Sequence, residues 1–295
     1  MATIDLHIHS NYSDDGEFSP AELVEFCLGA GLTHAAIADH NSVQGVAQAQ
    51  IAAEGTPLHI ISALEMDCHF EGIVFHLLGY GIDHGASVFL QIERDIHRQE
   101  LEASTHRMRL VRQLGIDFDD DLIASLAHSR VVTGEVIAEA ALRHDVKAEN
   151  SLLDPYRGSG ARSDNPFVNF YWDFCAQGKP AHVPMDYISL AQAVENICAN
   201  QGVAVLAHPG LQVKEDGSLL ARIMAEGVNG IEVYSSYHTR EQERFYREAA
   251  QDNGLLLTCG SDFHGKTKPG IKIGGTDCEG LEADIIAALI RRIMH

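Results

Sequence analysis

Apolar runs of strand length alternate with segments of helical period along most of the chain, and this rhythm restricts the fold more than any other feature. Thr3-Ile4-Asp5-Leu6-His7-Ile8-His9 reads as a strand with Asp5, His7 and His9 on one face and Ile4, Leu6 and Ile8 on the other. Ser19-Pro20-Ala21-Glu22 is a helix start with proline in the first turn, and Gly29-Ala30-Gly31 is its stop. Strands are predicted over 34–38, 58–65 and 73–80, with a helix over 43–53. Helices over 190–200, 219–225, 240–253 and 281–293 then alternate with strands over 203–207, 230–234 and 255–259. Such alternation predicts an α/β protein with a parallel sheet, open or closed into a barrel. Residues 91–180 break the rhythm with long helical stretches such as 91–114 and no strand. The organisation expected is a barrel from 1–90 and 181–295, with 91–180 as a helical insertion contributing to the substrate pocket.

Charge removes several functional classes. The 295 residues carry a formal charge of -21, and the first ninety contain twelve carboxylates but neither lysine nor arginine. A coat for duplex nucleic acid is excluded by that balance, whereas bound cations would offset it. No apolar run approaches the roughly 18 residues of a spanning helix, and the basic start of a signal peptide is missing, so a cytoplasmic protein with no membrane partner is expected. The six cysteines form no CxxC pair, which predicts small buried side chains rather than a disulfide framework or zinc knuckle.

The seventeen histidines carry the chemical signal. His7 and His9, two apart on a strand, share a face and can grip one ion. Asp262 and His264 repeat that spacing after the last predicted strand. His40, Glu65, His76 and His208 also fall in or at the ends of strands, and in a parallel barrel the strand C-termini converge on one mouth. His34, His59 and His69 are read as ordinary histidines.

Asp5-Leu6-His7-Ile8-His9-Ser10, Ser13-Asp14-Asp15-Gly16, Ala38-Asp39-His40-Asn41, Glu65, His76, Ala207-His208-Pro209-Gly210 and Gly260-Ser261-Asp262-Phe263-His264-Gly265 together resemble the PHP (polymerase and histidinol phosphatase) family of metal-dependent phosphoesterases. The resemblance implies a distorted (β/α)7 TIM-like barrel holding two to three divalent ions. His7, His9, Glu65 and Asp262 would hold one; Glu65 would bridge to a second held by His76 and His208. A third would lie between a first-loop acid, His40 and His264. Counting forward from His9 favours Asp14 as that acid, counting back from Gly16 and Pro20 favours Asp15, and the expectation is placed on Asp14. Mixed imidazole and carboxylate ligands suit Mn, the ion expected, or Fe, Co or Zn, better than Ca or Mg. A hydroxide held by such ions is a nucleophile at neutral pH.

Beside His40, Asp39 is the candidate catalytic side chain, orienting a ligand or relaying a proton, with a plain structural hydrogen bond as the alternative. Asp5 is expected to orient an imidazole. The resemblance points to Arg130 and Lys179 as substrate-binding cations, with His182 and His238 lining the pocket. The subgroup most resembled removes the 3'-phosphate from 3',5'-nucleoside bisphosphates to give 5'-mononucleotides, so a small phosphorylated metabolite, a nucleotide, is the expected partner. Its alternatives are 5'-to-3' trimming of short RNA, opening of cyclic phosphodiesters and cleavage of histidinol phosphate. A metal-stabilised interaction module without catalysis is the competing class.

Overall fold

The computed structural model describes residues 3–127 and 130–294. Its strands are β1 (Ile4–Ile8), β2 (His34–Ile37), β3 (His59–Phe70), β4 (Ile73–Tyr80), β5 (Ile188–Ser189), β6 (Val203–Leu206), β7 (Gly230–Ser235) and β8 (Leu256–Gly260). The barrel-side helices are α1 (Pro20–Gly29) and α2 (Gln44–Ala53); α3 (Ser87–Gln113), α4 (Asp120–Leu126), α5 (Gly134–His144) and α6 (Pro166–Phe170) follow. The last four are α7 (Leu190–Ala199), α8 (Gly217–Ala225), α9 (Arg240–Asp252) and α10 (Glu282–Ile293).

The sheet order is β1-β2-β3-β4-β6-β7-β8, with β5 added to β3. Beyond β8 the chain returns to β1. Phe263 bridges Ile8 in parallel, Asp262 N–H donates to the His7 carbonyl (2.7 Å) and His9 N–H donates to the Phe263 carbonyl (2.9 Å). These bonds bring the two ends of the sheet together as a barrel. It is a mixed sheet, not the parallel one expected, because β4 runs antiparallel to both β3 and β6. The cause is a two-residue turn at Glu71-Gly72, both with positive φ (50° and 80°), that folds β3 back as a hairpin. β3 also continues to Phe70, five residues past the expected end at Glu65.

Local chemistry explains the helix starts. Ser19 and Glu22 form a capping box on α1 with Pro20 in the first turn, and Ser189/Gln192 and Thr239/Gln242 do the same for α7 and α9. Ile4 and Leu6 join the main core, Ile8 packs with Leu23, Val24 and Cys27 of α1, and the buried Tyr80 donates its hydroxyl to the Leu6 carbonyl (2.9 Å).

Helix α3 begins on the barrel, where Phe89 enters the main core, and ends in a second core of Val111, Ile137, Leu153 and Phe170. Residues 91–180 contain no strand among those described. Cys259 and Cys278 form a disulfide, contrary to expectation. The loop after Thr276, whose hydroxyl donates to the Gly260 carbonyl (3.1 Å), brings the two cysteines together without a spacing signal. Cys198 is exposed rather than buried. No helix among the described residues is long and apolar enough to cross a membrane.

Candidate metal centre

His7 enters the barrel from β1 and His9 from just past its end, Glu65 from the middle of β3 and His76 from β4. His40, His208, Asp262 and His264 follow the ends of β2, β6 and β8. Two of these turns are backbone outliers, with φ of +23° at His208 and +58° at Asp262. Residues other than glycine rarely adopt that region, and here it accompanies the turn of each residue out of its strand direction. Gly260 is required for a different reason: a Cβ there would collide with the His7 Cβ and lie 2.7 Å from Glu232 Oε1.

Ligand atoms fall into interlocking groups whose members lie within 4.8 Å of one another: His7, His9, Glu65 and Asp262; Glu65, His76 and His208; His9, His40 and His264; and His40, Asp67 and His76. Glu65 thus belongs to two groups, facing His7 and His9 Nε2 at 3.2 Å through Oε2 and His208 Nε2 at 2.9 Å through Oε1. Of the two acids before Gly16, Asp15 sets its carboxylate 3.3 Å from His264 Nε2. Asp15 is therefore the first-loop acid in contact with His264, whereas the sequence expectation was placed on Asp14.

Buried atoms without a hydrogen-bond partner concentrate in this centre: His7, His9 and His264 Nε2, His40 Nδ1, Glu65 Oε2, and Oδ1 of Asp15, Asp67 and Asp262. Each such group left unpaired costs about 1–3 kcal/mol, and together they form a nitrogen and oxygen donor set that suits borderline divalent ions. The rear nitrogens are fixed. His7 Nδ1 donates to Glu232 Oε1 (2.9 Å), His9 Nδ1 to Ser13 Oγ (3.0 Å) and His264 Nδ1 to the Asp262 carbonyl (2.9 Å), leaving each Nε2 to face the centre.

Electrostatics agree. Burial, reinforced by His264 and His40, lowers His9 to about 4, so its imidazole is neutral at pH 7. Burial also pulls His40 down, but Glu65, Asp67 and Asp15 outweigh it and raise His40 to about 10. For Glu65 burial opposes ionisation, yet His7, His76 and His40 hold it well below the carboxylate range. The centre opens on one side: His40 and His76 side chains are 23% and 25% exposed, whereas His7, His9 and Glu65 are inaccessible. Helix α5 reaches that region: its Glu139 pairs with Lys266 (2.8 Å), and burial and then Asp15 push its Glu135 up to about 7.

Several expectations change in detail. Asp39 lies behind the ligands: Oδ1 accepts from Ser10 N–H (2.6 Å) and Ser13 Oγ (3.1 Å), and Oδ2 accepts from Ser10 Oγ (2.7 Å). Asp5 orients no imidazole; it accepts backbone N–H bonds from His7, Ser261 and Gly274, and Glu232 orients His7 instead. His238 is committed at both nitrogens, Nδ1 to the Val233 carbonyl and Nε2 accepting from Gly210 N–H. Burial and Arg107 lower His182, which is half-buried. Arg130 and Lys179 are exposed, and neither forms an ion pair among the described residues. Arg130 has a φ of +67° and precedes a segment that α3 pins through Ser104 and Arg107 to Val132. Its neighbours His128 and Ser129 lie outside the described residues.

Sequence reasoning missed Asp67, Glu232, Tyr237 and Lys268. Asp67 had a signal, since it shares the strand face of Glu65 two residues earlier. Glu232 had one as well, a lone acid in the apolar run Ile231–Val233. Lys268, in a loop, had none. Its ammonium and the Tyr237 hydroxyl both lie 2.6 Å from Asp262 Oδ2.

Among known proteins, the chain is 28% identical to a 3',5'-nucleoside bisphosphate phosphatase of Chromobacterium violaceum, over 99% of each chain. It is 26% identical to a 5'-3' exoribonuclease of Haemophilus influenzae, over 88% of this chain and 89% of the relative. A solved structure of an amidohydrolase from Chromobacterium violaceum, with bound sulfate and no metal, superposes with a TM-score of 0.77 at 25% identity, covering 97% and 96% of the two chains. The PHP domain profile matches residues 5–153, which include the β1 histidines, the first loop, Glu65 and His76. With that match across half its length, and a barrel that assembles those residues around one centre, the chain belongs to the PHP domain family.

Proposed function

We propose that the protein is a metal-dependent phosphatase that removes the 3'-phosphate from 3',5'-nucleoside bisphosphates. The observation that carries the metal-dependent reading is the convergence of unpartnered buried nitrogen and oxygen atoms on one centre shared through Glu65. Full-length similarity to a bisphosphate phosphatase supports the substrate class. His7, His9, Glu65 and Asp262 would hold one ion, Glu65, His76 and His208 a second, and Asp15, rather than Asp14, would join His40 and His264 at a third. Manganese is the ion we favour. Divalent ions in such a centre polarise a phosphoryl group and lower the pKa of water toward neutrality. The protein's part is to hold the ligands: Glu232 and Ser13 fix the tautomers of His7 and His9, and Asp39 fixes Ser13. Substrate enters past His40 and His76, where the centre meets solvent. We assign residues 91–180 to a helical insertion on the barrel, from which Arg130 and Lys179 reach a second phosphate.

The reading is tested by loading the protein with manganese and measuring phosphate release from a nucleotide panel, with the products identified. Release from 3',5'-bisphosphates to give 5'-mononucleotides is expected. No release from the whole panel would sink it and favour a metal-stabilised module. The similarity to an exoribonuclease supports a second reading, which a 5'-phosphorylated short RNA in the same panel separates by sequential release of mononucleotides.

A further inference from the structure

Asp262 presents its two oxygens to different surroundings. Oδ1 lies 3.0 Å from His9 Nε2 and 3.4 Å from His7 Nε2 and has no hydrogen-bond donor. Oδ2 makes neither of those histidine contacts and instead receives both the Lys268 ammonium and the Tyr237 hydroxyl, each at 2.6 Å. Lys268 is almost entirely buried, with 9% of its side chain exposed, and its ammonium also lies 5.4 Å from the centre of the Tyr237 ring. Its own N–H donates to the Gly265 carbonyl (3.1 Å), closing a turn directly after His264.

A buried lysine is rare because its charge is costly to desolvate, and partners as close as these are what offset that cost. Two donors on one oxygen hold the carboxylate against rotation and draw its charge outward. We propose that Lys268, with Tyr237, is a positioning residue that makes Asp262 a one-oxygen ligand, keeping Oδ2 away from the ions. The catalytic part of this assignment rests on the phosphatase reading; the metal-binding part does not. Freed from the ammonium, Asp262 would offer both oxygens. The ion would then be held at least as tightly, while a coordination position and part of its Lewis acidity were lost.

The test compares Lys268→Met, Lys268→Arg and Tyr237→Phe in the full chain by three measurements: manganese affinity, the visible spectrum of the cobalt-substituted protein, and steady-state kinetics. For Lys268→Met, manganese is expected to bind no more weakly, and the cobalt bands to weaken as the coordination number rises. A fall in kcat of about tenfold at a KM within about twofold of the parent is the kinetic expectation. Lys268→Arg should restore all three, and Tyr237→Phe should move them in the same direction by less. An unchanged cobalt spectrum, metal loss in step with lost folding stability, or a raised KM at constant kcat would each overturn the proposal. If the parent releases no phosphate from any substrate, the phosphatase reading fails, while the cobalt spectrum and the manganese affinity still judge Lys268.

Discussion

At the scale of single residues, the members of the candidate centre were legible wherever spacing and strand geometry acted together. His7-x-His9 on a strand can face only one way, and a glutamate in the apolar run Ala63-Leu64-Glu65-Met66 must have a buried partner. Asp14 and Asp15 were not separable, because both precede Gly16 and the path of the loop decides which carboxylate turns inward. That path is set by Ser13 N–H donating to the Ser10 carbonyl (3.0 Å), Gly16 N–H to the Ser13 carbonyl (3.2 Å), and the Thr267 hydroxyl to the Asp15 carbonyl (2.8 Å). The first two are local turns that do not distinguish the acids, and the third joins residues 252 apart in sequence and leaves no local trace. Asp15→Asn is therefore expected to lose one bound ion and lower kcat on the order of 100-fold, whereas Asp14→Asn is expected to keep that ion. Metal content by elemental analysis, beside kinetics, checks the pair; loss of the ion in Asp14→Asn instead would return the ligand to that residue.

Among the elements, periodicity located most helices and strands to within a few residues, and the main failure was strand direction. A two-residue hairpin is ordinarily announced by Asn-Gly or Asp-Gly, and here the first turn position is Glu71, so β3 and β4 read as separate parallel strands. The error hid Asp67, which lies on the continuation of β3. The contact between β1 and β8 depended on a residue the sequence showed but did not explain. Gly260 ends β8 where His7 passes, and no side chain fits between them. Gly260→Ala would force β8 and His7 apart, an overpacking that costs about 1–3 kcal/mol. The expected result is a lower denaturation midpoint in metal-free protein together with weaker manganese binding. An alanine variant as stable and as metal-competent as the parent would show that the two strands separate freely.

For the whole molecule, the formal charge of -21 and the seventeen histidines describe one balance. Without ions, the buried carboxylates are offset by protons: Glu65, Asp67 and Asp15 raise His40 to about 10, and carboxylates also raise His7 and His76 despite burial. Those protons stabilise the metal-free fold fully below the unfolded histidine value of about 6.5, and that stabilisation is lost as pH rises toward 10. Ions displace the same protons, because a ligating imidazole is neutral, so metal affinity must change with pH in the opposite sense. Binding to the folded state alone stabilises it by about 2.7 kcal/mol at a hundredfold excess over Kd, enough to raise Tm by several degrees. Manganese is thus expected to raise Tm by more at pH 8 than at pH 6, a chelator to remove the increment, and calorimetric titration in buffers of different ionisation enthalpy to register proton release at pH 7. An increment that shrinks as pH rises, or binding without proton release, would mean that the histidines of this centre are not the groups exchanging protons for metal.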